Sequence, residues 1–128
     1  MLFRSDVTVT GLLTPSTGAV NAQAGAVVWE GDDGIPGDTF EIARTAAGPF
    51  TTLFSAIHPA NNFWNSGIGR LGAQITAKNP NHVNQMGLDV AFLDVSGTLQ
   101  NSDTQAVLRF SSTGDTYFPQ ALAFTVDL

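Results

Sequence analysis

The chain has 128 residues, with five Lys or Arg against eleven Asp or Glu, two His, no Cys and a formal net charge of −6. That length allows one domain with a real core. The composition leaves no thiols for disulfides or thiolate metal sites, gives nucleic-acid phosphates no basic footprint, and offers no run near the roughly 20 apolar residues needed for membrane insertion.

Met1-Leu2-Phe3-Arg4-Ser5 reads as a candidate non-native leader, which puts the domain at residues 6–128. From Asp6 the sequence alternates: Val7, Val9 and Leu13 point one way, Thr8 and Thr10 the other. Pro15, Ser16 and Gly18 interrupt it. Ala24 to Trp29 is a continuous apolar run, as in a strand buried on both faces. Gly31 to Asp38 is an acidic, glycine-rich loop, and Phe40 and Ile42 then alternate with Thr39 and Glu41. Phe50 to Phe54 reads as a short strand.

The stretch from Ser55 to Gly69 is irregular, punctuated by His58-Pro59, Asn61-Asn62 and Asn65. Leu71, Ala73 and Ile75 alternate again, and Asn79-Pro80-Asn81 opens a second long loop. Leu88, Val90 and Phe92 share a face. Leu93 and Val95 fall on the other, which predicts a bulge or a strand that changes sheets. Ala106, Leu108 and Phe110 alternate cleanly. After the turn at Ser112-Thr113-Gly114-Asp115, Phe118, Leu122, Phe124, Val126 and Leu128 share one face, with Gln120 the exception. Eight or nine short strands separated by turn clusters predict an all-β fold, a jelly-roll-like β-sandwich. Strands reach close to both ends of the sequence. That suits a module of a tandem array, or a subunit that lends or borrows a strand.

The candidate sites are few. His58 and His82 are too far apart for a zinc pair one helical turn apart, and both read as solvated loop residues. No Gly-x-Ser-x-Gly elbow or phosphate loop is present, so no enzyme is expected. Asp32, Asp33 and Asp38 could offer oxygen ligands to calcium, but the alternating ligand pattern of a calcium loop is missing, and an Asp/Gly turn explains them as well. Trp64, flanked by Asn61, Asn62 and Asn65, could stack on a polysaccharide. The alternative is that it plugs the end of the sandwich while the amides hold turns. Lys78, the one lysine, sits beside Asn79-Pro80 in a loop and not in a core strand, where an isopeptide cross-link would need it.

Charged residues make up only 12% of the chain, so the surface must draw its polarity from Thr, Ser, Asn and Gln, as in secreted β proteins. Several stretches resemble a β-rich module of large secreted bacterial surface proteins. They are Gly11-Leu12-Leu13-Thr14-Pro15, Ala26 to Asp32 with Gly37-Asp38, Pro59 to Ser66, Gly69-Arg70-Leu71-Gly72, Gly87-Leu88-Asp89-Val90 and Gly114-Asp115-Thr116-Tyr117. The resemblance implies an extracellular or cell-surface location beside other β domains, and carries no catalytic residues with it. The resulting expectation is a structural subunit of an extracellular fibre, joined to copies of itself or to adjacent β domains by strand complementation. Val7, Val9 and Leu13 are then the residues that enter a neighbour's groove. The alternatives are that this strand stays in its own sheet, or that the module binds polysaccharide.

Overall fold

The clean alternation of the C-terminal third marks the middle of the molecule. In a computed structural model that describes residues 3–128, Gln105–Ser112 forms strand β8. Its Ala106, Leu108 and Phe110 are almost completely buried. The strands before it are β1 (Phe3–Thr10), β2 (Ala22–Trp29), β3 (Asp38–Ala43), β4 (Thr51–Thr52), β5 (Ile68–Arg70), β6 (Ala73–Gln74) and β7 (Leu88–Asp94), and β9 (Phe118–Val126) follows. Two sheets form a β-sandwich, one ordered β1-β8-β3-β4 and the other β6-β5-β7-β2-β9. The ladders are antiparallel except for β5 against β7. Phe3, Arg4 and Ser5 belong to β1, opposite Ser112, Ser111 and Phe110, so the strand starts inside the stretch read as a leader. Met1 and Leu2 lie outside the described residues.

The core between the sheets is small-sided on one layer and aromatic on the other. Ala22, Ala24, Ala26 and Val28 of β2 and Ala91 and Leu93 of β7 face Phe40, Ile42, Leu108 and Phe110. Small residues on one sheet leave room for large ones on the other at the usual sheet spacing of about 10 Å. Phe63, Trp64 and Tyr117 fill the remaining volume, with ring centroids 4.7 Å apart for Phe63–Trp64 and 5.7 Å for Trp64–Phe110.

Several strand readings need correction. β7 has no bulge, because its register against β2 runs unbroken from Gln23↔Asp94 to Trp29↔Leu88. Its inward row is Asp89, Ala91 and Leu93, continued by Val95, while Leu88, Val90 and Phe92 point outward and are half-buried. An aspartate in the inward row made the outward row look like the core face. The irregularity lies in β9 instead, where Val27 pairs with Ala121 and Val28 with Pro119, so Gln120 is the extra residue. This shift turns Phe118 outward beside Trp29, off the face of Leu122, Phe124 and Val126. β2 is also less enclosed than its apolar run suggests, since Trp29 at its end is exposed.

β1 and β9 are the outer strands of their sheets, on the same side of the sandwich: Phe3 meets Tyr117 edge-on at 5.2 Å, just before β9 begins. Neither strand contains a buried residue, whereas every other strand of six residues or more does. Leu108→Ala should therefore cost about 2–5 kcal/mol. Val7→Ala, on the residue paired directly opposite Leu108, should cost under about 1 kcal/mol. Urea unfolding of the two variants measures the contrast.

Candidate functional site: buried carboxylates and an open side

The irregular stretch from Ser55 to Gly67 carries the chain from the first sheet to the second, after Leu53 has bonded to the carbonyl of Phe40. Such a segment buries backbone polar groups that need partners. Two aspartates supply them, one from each sheet. Asp38, at the start of β3, accepts the Trp64 N–H at 2.7 Å. Asp89, in the inward row of β7, accepts the Gly67 N–H at 2.9 Å. Between them Ser66 donates to the Gly31 carbonyl at 2.6 Å and accepts the Gly87 N–H at 2.9 Å. The Asn65 amide donates to the Ile57 carbonyl, and the His58 Nδ1 lies 2.8 Å from the Phe63 carbonyl with its ring stacked on Phe63. Gly31 and Gly69 leave room for this arrangement. A Cβ at Gly31 would strike the Asp89 carboxylate and the Trp64 carbonyl, and one at Gly69 would come within 2.8 Å of the His58 Nε2.

Both carboxylates are fully buried, and their second oxygens have no hydrogen-bond partner among the described residues. Burial is the main cause that pushes Asp38 up to about 6 and Asp89 up to about 7, offset by the backbone N–H groups they accept. The negative charge of Asp115 raises Asp38 further, and that of Asp38 raises Asp89. Burial also pushes His58 down, so its neutral ring is favoured.

This geometry decides several expectations. Trp64 has no exposed surface and lies among Phe40, Phe63, Phe110 and Tyr117, so it cannot present a face to a sugar. Of its flanking amides, Asn61 is exposed, Asn62 donates to the Asp33 carbonyl at 2.8 Å, and Asn65 is engaged as above. They hold the segment's turns. His58 is buried and not solvated, while His82 is exposed. The three calcium candidates do not converge: Asp38 points into the core, Asp32 and Asp33 are exposed, and the loop is held by the Asp32 N–H donating to Asp115 at 3.1 Å. Among the described residues no group of three or more His, Asp or Glu is placed to hold a metal ion. Lys78 donates to the carbonyls of Pro80 and His82, within its own loop. Asp89 and Asp115 are not among the candidate site residues of the sequence; the one available signal for Asp89 is a charge inside an otherwise apolar strand.

The assembly candidates are divided. Val7 and Val9 lie on the inward side of β1, paired with Leu108 and Ala106. Leu13 does not join them, because the strand ends at Thr10, Gly11 follows at φ +80°, and Leu13 is exposed. Phe3 takes its place in the inward row. Across the layer gap, Leu122, Phe124 and Val126 of β9 are only half-buried against the core. The sandwich is thus closed on one side by the Ser55–Gly67 segment, while on the other its outer strands β1 and β9 carry only half-buried and exposed side chains. Compared with known proteins, the chain matches no family model, no curated protein and no solved structure.

The raised carboxyls make stability depend on pH. A carboxyl whose folded pKa lies above its unfolded value of about 3.9 binds more protons in the folded state. The stability it contributes is full below about 4 and is lost as pH rises through 6 to 7. His58, pushed down, acts in the opposite sense below its unfolded value of about 6.5, one group against two. The melting temperature should therefore fall between pH 5 and pH 8. In an Asp38→Asn, Asp89→Asn variant, whose neutral amides can still accept the two N–H groups, the fall should disappear, leaving the opposite, shallower dependence of His58 below about 6.5. Calorimetry across the range checks both.

Proposed function

We propose that this protein is a non-enzymatic structural subunit of an extracellular fibre or surface assembly, joined to its neighbours by β-strand complementation. The observation that carries the reading is the open side. β1 is an eight-residue edge strand with no buried side chain, paired with one neighbour only, β8, whose Leu108 and Phe110 are fully buried beside it. An edge of that length is what strand addition uses: the backbone ladder gives affinity, and alternate side chains give register.

In the proposed exchange, β1 of one subunit leaves its own sheet and takes the same place in the next. Phe3, Val7 and Val9 enter opposite Ser112, Leu108 and Ala106 of the receiving β8, and Asp6 meets Arg109 as it does at 2.8 Å within the chain. That ion pair is only partly screened from water, so it guides register more than it adds affinity. Gly11 is the hinge. Its positive φ is where the chain leaves the sheet, and open space surrounds it. The sparse charge and the Thr- and Asn-rich surface support an extracellular setting.

Deleting residues 1–10 tests the exchange. The shortened chain should lose the filaments visible by negative stain, and a synthetic peptide of residues 3–12 should restore its cooperative unfolding. Filaments that survive the deletion, or a full-length chain that forms none at any concentration, would end this reading.

One observation favours a second reading, a carbohydrate-binding module, at a place other than Trp64. A groove of about 690 Å³ at one end of the sandwich is lined by Asn21, Gln23, Asp94 and Asp127, with Phe54 and Leu71 at its wall. Phe54 is 70% exposed, a ring available for stacking on a sugar beside amide and carboxylate partners. On this reading Phe54→Ala should abolish retention on immobilised polysaccharide without changing the melting temperature. Unchanged retention would sink it.

A further inference from the structure

Two buried oxygens crowd the place where a Cβ of Gly31 would sit: the Asp89 Oδ2 and the carbonyl oxygen of Trp64. Asp89 and Trp64 are both fully buried. Among the described residues no donor reaches either oxygen. Two bare acceptors set close together in a core repel, and each forfeits a hydrogen bond. One proton removes both faults. A protonated carboxyl does what a carboxylate cannot: it accepts through one oxygen and donates through the other.

We propose that Asp89 is a proton-operated latch on the Ser55–Gly67 segment. With the proton in place, Oδ1 accepts the Gly67 N–H at 2.9 Å and the Oδ2–H donates to the Trp64 carbonyl, so one side chain of β7 grips the segment at two points. Loss of the proton to solvent removes the donor and sets a carboxylate against the carbonyl. The segment then lifts from β7 while the sheets stay paired. The held conformation is one the chain does not choose unaided: Ser66 sits at φ +61°, in the left-handed region that a residue with a Cβ avoids. Release lets it relax. The latch does not depend on strand exchange at β1.

Among the described residues no cation stands by to stabilise the ionised form. Arg4 and Arg109 pair with Asp6, Arg44 pairs with Asp103, Lys78 donates within its own loop, and Arg70 is exposed on β5, level with Phe92. The groups that face the latch are acidic or neutral. They are Asp38 from β3, Asp115 and Tyr117 from the turn before β9, and His58, whose Cε1 lies 3.5 Å from the Cβ position of Gly67. Glu30, Asp32 and Asp33, on either side of Gly31, are exposed. Burial first, and the charge of Asp38 after it, keep the proton on up to about 7. In the open segment the carboxyl returns to about 3.9. The closed form therefore binds the extra proton. Opening rises with pH by up to about tenfold per unit, then levels off above about 7.

Hydrogen exchange read by NMR on the full chain tests this. Protection at the Trp64 and Gly67 amides should be lower than at Leu108 of β8, and should fall several-fold between pH 6 and pH 7. Asp89→Asn keeps both bonds, since its amide accepts through Oδ1 and donates through Nδ2. In that variant protection should stay level over the same interval, or rise slightly in the sense His58 gives. Infrared spectroscopy reads the proton itself: at pH 5 the carbonyl stretch of a protonated carboxyl should lose intensity in Asp89→Asn. Trp64 and Gly67 amides as protected as Leu108, the same fall in the variant, or an infrared band untouched by the substitution would overturn the proposal.

Discussion

The hydrogen bond from the Trp64 amide to Asp38 fixes more of this molecule than any single apolar contact. It sets the depth at which the Ser55–Gly67 segment crosses between the sheets, and so places Phe63 and Trp64 inside the core. Asp89 repeats the device three residues later from the opposite sheet. A buried carboxylate is expensive unless it is bonded or neutral, and here each is bonded through one oxygen and raised in pKa for the other. Apolar packing alone would tolerate small slips of the segment along the core. Two directional acceptors, one per sheet, do not.

Clamping one side of the sandwich leaves the two sides unequal. On the clamped side, β4 and the short β5–β6 pair are bridged by the crossing segment. On the other, β1 and β9 face each other with half-buried side chains and free backbone edges. The aromatic cluster is centred on Trp64, Phe40 and Phe110 and reaches β1 only at its start, through Tyr117 and Phe3.

Alternation made most strands legible. β8 and β3 read correctly because one face is apolar and the other polar, and Val7 and Val9 could be assigned to one side of β1 on the same ground. β7 and β9 misled for two different reasons. In β7 the core row contains Asp89 while the solvent row is apolar, which inverts the signal. In β9 one extra residue, Gln120, resets the phase, and no local residue type announces it. β5 fell in the stretch read as irregular because its three residues pair parallel to a distant strand. His58, Trp64 and Asp38 could not be placed from sequence, because their burial depends on the route of one loop across the core. The plug reading of Trp64, set beside the glycan reading, required no knowledge of that route beyond its being covered.

The inverted pattern of β7 carries a consequence of its own. A strand that spends a carboxylate on the core and Leu88, Val90 and Phe92 on the outside has its apolar surface in the wrong place for a lone domain. The same holds for Trp29 and Phe118, which the Gln120 bulge brings into one row.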